Sequence, residues 1–146
     1  MFRTKASTYA ILAVTEIAKR QAAQPAGVQA GEIARFLDLP AAYAAKVLTQ
    51  LARVSILRSD RGPRGGFRLM RPPNVITLLE IIEAVDGTIV GDVSFNQAHR
   101  EARETLRIVD EVFGHIVADM RAVLARETVA RLIRAETPAT SFIQAT

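Results

Sequence analysis

Residues 61–73 read Arg-Gly-Pro-Arg-Gly-Gly-Phe-Arg-Leu-Met-Arg-Pro-Pro. That density of glycine and proline excludes a helix and leaves a tight turn. Ahead of it, residues 55–59 (Ser-Ile-Leu-Arg-Ser) suit a short strand. Behind it, Phe67 and Leu69 alternate with Arg68 as a return strand does, and Pro72-Pro73 stop the ladder. The tip, residues 60–66, sets Arg61 and Arg64 around Gly62-Pro63. Glycine makes such a tip thin, and arginine makes it attractive to an anion.

The segments before the hairpin have helical periodicity. Ser7 is placed to cap a helix over residues 7–21, whose Tyr9, Ile11, Leu12, Val14 and Ile17 occupy more than one face. A helix of that kind is buried against at least two partners. Gln24-Pro25-Ala26-Gly27 breaks it. Residues 31–37 form a short second helix with Ile33, Ala34 and Leu37 inward, and residues 38–40 turn. In a third helix over residues 40–53, Ala44, Val47, Leu48 and Leu51 make a core face, and Tyr43, Lys46 and Gln50 a second stripe. Helix, turn, helix and basic hairpin, in that order, outline a winged helix-turn-helix. Asn74 or Thr77 opens a fourth helix that Gly87 ends. Residues 88–97 show no assignable pattern.

A long helix is expected over residues 98–126. Leu106, Val109, Phe113, Ile116, Met120 and Val123 follow one another at steps of three and four, a heptad seam. At 1.5 Å per residue such a helix is roughly 40 Å long. It overhangs a small domain, so the expectation is that it pairs with its twin across that seam. Gly114 within it lets another helix approach. Residues 128–134 read as a short helical coda and residues 137–146 as a disordered tail. The fold class is therefore mainly α with a small β-hairpin. A winged helix-turn-helix domain at 1–87 is joined by a connector at 88–97 to a dimerisation helix and coda at 98–136.

Charge is divided along the chain. Residues 1–76 hold 12 Lys+Arg against 4 Asp+Glu, and residues 77–146 hold 7 against 11. The two parts carry +8 and −4, which together give the net +4 of the chain. A basic front and an acidic back suggest a polyanion-binding module followed by something else. The chain has no cysteine, which excludes disulfides and thiolate metal sites and fits the cytoplasm. No apolar run approaches the roughly 18 residues of a membrane span. No metal site is indicated: His99 and His115 have no second imidazole at helical spacing. No nucleophile–base or paired-carboxylate arrangement points to an enzyme.

Helix and hairpin together suit double-stranded DNA. The major groove admits a helix and displays a readable edge pattern. Ala42 allows close approach, Tyr43 and Lys46 reach a phosphate or base edge, and Gln50 lies further along. The first two turns hold no Arg, Asn or Glu, so direct readout by this helix alone is weak. The hairpin supplies the rest. A narrow minor groove attracts inserted arginine, here Arg61 and Arg64 flanking Gly62. Gly65 is expected to permit close approach to phosphate. Arg58 and Ser59 complete the candidate contacts, with Arg58, Arg68 and Arg71 meeting phosphate or water.

Tyr9-Ala10, the stretch RSDRGPRGGFRLMRPP at 58–73 and ITLLEIIEAVDG at 76–87 resemble the Rrf-two family of bacterial winged-helix transcription regulators. The similarity runs over roughly residues 2–135. It implies a homodimer on palindromic operators, joined through crossed long helices. Ala42 and Tyr43 match the start of the family's recognition helix, and Arg61 its wing arginine. Ser55 and Arg64 stand at usual glycines. Members that sense iron–sulfur chemistry or nitric oxide through a cluster carry three cysteines between the fourth and long helices, where this chain has none. A cluster is held by thiolates, so the expectation is a member without a cofactor, with an unassigned protein or small-molecule effector. The reading that follows is a homodimeric, sequence-specific repressor. The alternative is a winged-helix protein-interaction module regulated by an enzyme partner.

Overall fold

The computed structural model describes residues 3–91 and 100–137. His99, residues 92–97 of the connector and residues 138–146 of the tail lie outside them. Helix α1 (Lys5–Ala23) opens two residues earlier than expected. Thr4, not Ser7, is its N-cap: the Ser7 amide donates to Thr4 Oγ1 at 3.2 Å, and the Thr4 amide donates back to Ser7 Oγ at 2.9 Å. This reciprocal box satisfies two otherwise orphaned donors, and Lys5 and Ala6 are good helix formers. Helix α1 is the hub of the fold and touches α2 (Ala30–Leu37), α3 (Ala41–Arg53), the second strand (Gly66–Leu69), α4 (Leu78–Asp86) and the last helix (Val129–Glu136). Ala10, Ala13, Val14, Ile17 and Ala18 are buried along it, and the alanines let neighbours close in. Leu12 faces outward, 42 % exposed, against its expected role in packing.

Helices α2 (Ala30–Leu37) and α3 (Ala41–Arg53) pack on each other through the turn at Asp38, whose left-handed backbone caps α2. Ile33, Val47, Leu48 and Leu51 enter the core. Strands β1 (Leu57–Asp60) and β2 (Gly66–Leu69) form an antiparallel hairpin in which Leu57 faces Leu69 and Asp60 faces Gly66. The first strand starts two residues later than the sequence suggests. Ser55 takes φ 58°, a left-handed conformation that no strand contains.

Helix α4 (Leu78–Asp86) begins at the Thr77 cap, closed by Glu80, and ends at Gly87 with φ 82°. A single 3-10 turn (Arg100–Ala102) leads into α5 (Arg103–Arg126), which starts later than expected and is about 36 Å long. Helix α6 (Val129–Glu136) returns to the winged domain. Its Val129 amide donates to the Ile76 carbonyl at 3.0 Å, and Leu78 donates to Glu127 at 2.9 Å. The Val129 side chain is fully buried, and Lys19 on α1 pairs with Glu136 at 2.7 Å. The coda therefore belongs to the core of the winged domain and not to the long helix.

Candidate nucleic-acid interface

At the wing tip, Arg61, Gly62, Pro63 and Arg64 are all exposed. The turn closes through the Gly65 amide to the Gly62 carbonyl at 3.0 Å, and Gly62 takes φ 100°. Among the described residues neither Arg61 nor Arg64 has a carboxylate in ion-pair range. The other hairpin arginines do. Arg68 lies 2.9 Å from Asp60, Arg58 lies 3.5 Å from the same carboxylate, and Arg71 lies 2.8 Å from Glu80. Arg68 also donates to the Pro25 carbonyl. Arg68 and Arg71 are thus internal struts, which corrects their expected roles at phosphate or in water. Asp60 is shared by Arg58 and Arg68, so one positive charge remains on the exposed Arg58 side of β1 beside the two at the tip.

Gly65 is corrected as well. It is buried, and a Cβ there would lie 2.2 Å from the Asp60 carbonyl oxygen and 2.8 Å from that of Arg61. Its missing side chain serves the fold of the turn rather than an approach to phosphate. Ser59 is exposed on β1, opposite Phe67.

On α3 the solvent face is rotated from the expected stripe. Ala42, Lys46, Thr49 and Arg53 are exposed, at steps of four, three and four. Tyr43 is half-buried, with its ring edge-on to Tyr9 at 6.1 Å and 83°, and Gln50 is half-buried too. Tyr43 therefore divides between core packing and the surface. Thr49 and Arg53 were missed. Carrying the period from Ala42 and Lys46 through one more turn finds both.

On α5 no residue is buried. Ile108, Val109, Val112, Phe113, Ile116 and Val123 are each 40–54 % exposed and form a continuous apolar face. Leu106 and Met120, expected on the same seam, are half-buried. Met120 and Val117 line a cavity of about 250 Å³ with residues 86–90. Ile89 and Val90 are among these lining residues. Arg121 pairs with Glu83 and donates to the Ile89 carbonyl at 3.3 Å, which ties this side of α5 to α4. The open face is thus centred on Val112 and Ile116, and Met120 faces partly inward. His115 is exposed.

Residues 3–135 match the model of the Rrf2 (Rrf-two) family, described as an iron-dependent transcriptional regulator. The chain is 35 % identical over 113 residues to the HTH-type transcriptional regulator BadM of Rhodopseudomonas palustris, covering 75 % of this chain and 69 % of that protein. It is 32 % identical over 81 residues to the HTH-type transcriptional regulator IscR of Cereibacter sphaeroides, covering 56 % and 52 %. Among solved structures, CymR, the global cysteine regulator of B. subtilis, superposes with a TM-score of 0.70 at 22 % identity over 92 % of this chain and 98 % of that one. The T. potens IscR structure gives 0.65 at 20 %, over 94 % and 90 %. At those identities the two structures show the shared fold alone. The family description implies iron, and the donor set does not fit an iron–sulfur cluster. Such clusters are held by cysteine thiolates, and this chain has none, with two histidines in all.

Proposed function

The chain belongs to the Rrf2 family of helix-turn-helix transcriptional regulators, and from that premise we propose a homodimeric, sequence-specific repressor that works without an iron–sulfur cluster. Helix α3 enters the major groove with Ala42, Lys46, Thr49 and Arg53, and the wing sets Arg61 and Arg64 against the neighbouring minor groove. The observation that carries this reading is the division among the hairpin arginines. Arg68 and Arg71 are neutralised within the fold, while Arg61 and Arg64 stand exposed with no ion-pair partner among the described residues. Arginine presented in that way on a thin tip suits a groove of high negative potential.

The exposed apolar face of α5 supports the homodimer, because a second copy covers it with the same residues. Two recognition helices then meet successive major grooves about 34–36 Å apart. The effector is a small molecule or a partner protein acting near the junction of α4 and α5. Fluorescence anisotropy against promoter duplexes at several salt concentrations tests the whole reading. Affinity is expected to fall steeply with salt, because phosphate contacts release counterions. A flat salt response, or equal affinity for all promoter fragments, removes it. The Arg61→Ala variant is expected to lose about 1–3 kcal/mol on the preferred duplex. A promoter–reporter assay with and without the regulator gives the sign of regulation.

A further inference from the structure

Strand β2 has a second edge, and it is not open. On the side away from β1, its polar groups are satisfied in order by the end of α1 and the loop that follows. The Leu69 amide donates to Gln21 Oε1 at 2.9 Å. Phe67 exchanges both backbone bonds with Val28, at 2.8 and 3.0 Å. The Gln29 side chain donates to the Gly65 carbonyl at 2.9 Å, and the Gly27 amide to the Arg64 carbonyl at 3.3 Å. Every backbone group named here lies on the outer edge of the wing, from tip to base.

The close fit explains two glycines. A Cβ on Gly27 would lie 2.6 Å from the Gly65 carbonyl oxygen, and one on Gly66 would lie 2.7 Å from the Val28 backbone. Across the gap, Arg68 joins the Asp60 carboxylate on β1 to the Pro25 carbonyl. An isolated two-stranded hairpin is marginal in water and free to change its angle. This one is clasped along its length by residues 21–29.

We infer that Gln21 and Gln29 are positioning residues for DNA recognition: they fix the angle at which the wing presents Arg61 and Arg64. The inference rests on the wing's reading of DNA proposed above. Neither glutamine is charged, and each acts through its bond to the β2 backbone. Residues 21–29, the end of α1 and the loop after it, thus take part in recognition as a clasp on the outer edge of the wing.

The test is anisotropy with a fluorescein-labelled duplex selected by the wild-type protein from a random-sequence pool. Gln21→Ala, Gln29→Ala and their double are titrated across a salt series, in the wild-type background and with Arg61→Ala/Arg64→Ala. The double glutamine variant is expected to bind roughly tenfold more weakly. Its salt slope should also fall by about 1, although no charge has been removed, because wing arginines lose phosphate contact. In the background lacking both arginines the glutamine substitutions should have no further effect. A loss that is equal in both backgrounds, with an unchanged salt slope, is general destabilisation and overturns the inference. So does wild-type affinity in the glutamine double. If removal of both wing arginines leaves affinity unchanged, the wing does not read DNA, and the proposed function fails at that point with the inference built on it.

Discussion

Two backbone positions show opposite solutions to the same constraint. Ser55 holds a left-handed φ of 58° with a side chain, where the family resemblance has glycine. The left-handed region costs an L-residue about 1–2 kcal/mol, and glycine takes back part of that gain through its freer unfolded chain. Ser55→Gly is therefore expected to stabilise the protein by about 1 kcal/mol in urea denaturation. Gly66 is the reverse case. Its φ of 116° and the Val28 backbone 2.7 Å from any Cβ leave no room for a side chain. Gly66→Ala should destabilise by more than about 2 kcal/mol and shift the thermal midpoint downward. The glycine-rich run promised turns, and it delivered them. That Gly65 and Gly66 answer to residues on the other strand and in the α1–α2 loop was not legible, because those partners are 5 to 38 positions away.

The start of α4 joins a cap to an ion pair at Glu80. Burial pushes its carboxyl up, but the Thr77 amide and the Arg71 guanidinium together hold it below its ordinary 4.5. A carboxyl with a depressed folded-state value stabilises the fold above its unfolded value and ceases to do so as pH falls through the folded one. The contribution is therefore complete above about pH 4.5 and lost below it. Glu80→Gln preserves the capping box, since glutamine serves there as well as glutamate, and removes the charge pair with Arg71. Denaturant titrations at several pH values should show the variant with a flatter acid limb than the wild type. Both partners are more than a third exposed, so the effect at neutral pH is small. The Thr77–Glu80 spacing was visible in the chain, and Gly87 marked the other end. The partnership of Glu80 with Arg71 needed the wing's exit strand to turn back onto the helix.

Over the whole molecule, the winged domain and α6 close one core, and α5 stands on it with an uncovered apolar face. Because no α5 residue is buried, a charge placed on that face leaves the winged core intact. Ile116→Asp is expected to turn a dimer into a folded monomer. Analytical ultracentrifugation reads the mass, and circular dichroism the retained helix. A monomeric wild type would defeat the proposal of a twin subunit. Monomers also lose the second half of a palindromic grip, so DNA affinity should fall with the change in mass. No described helix is long and apolar enough to cross a membrane.

Local sequence determined what local physics controls: the helix periods, the stops at Pro25 and Gly87, the start of α3 at Pro40, the hairpin turn, and the cationic tip. Those signals depend on neighbours three or four residues away, and they placed the winged helix-turn-helix without a tertiary model. Tertiary structure decided which arginines are available, since Asp60, Pro25 and Glu80 claim Arg68 and Arg71 only after the chain folds. It decided the place of Tyr43, whose ring meets Tyr9 edge-on and is half-buried instead of lying on the open stripe. It brought residues 21–29 to the edge of the wing and α6 back under α4. The physical reason is the same in each case. Hydrogen bonds and charges are satisfied by whatever lies nearby in space, and periodicity along a chain carries no record of that.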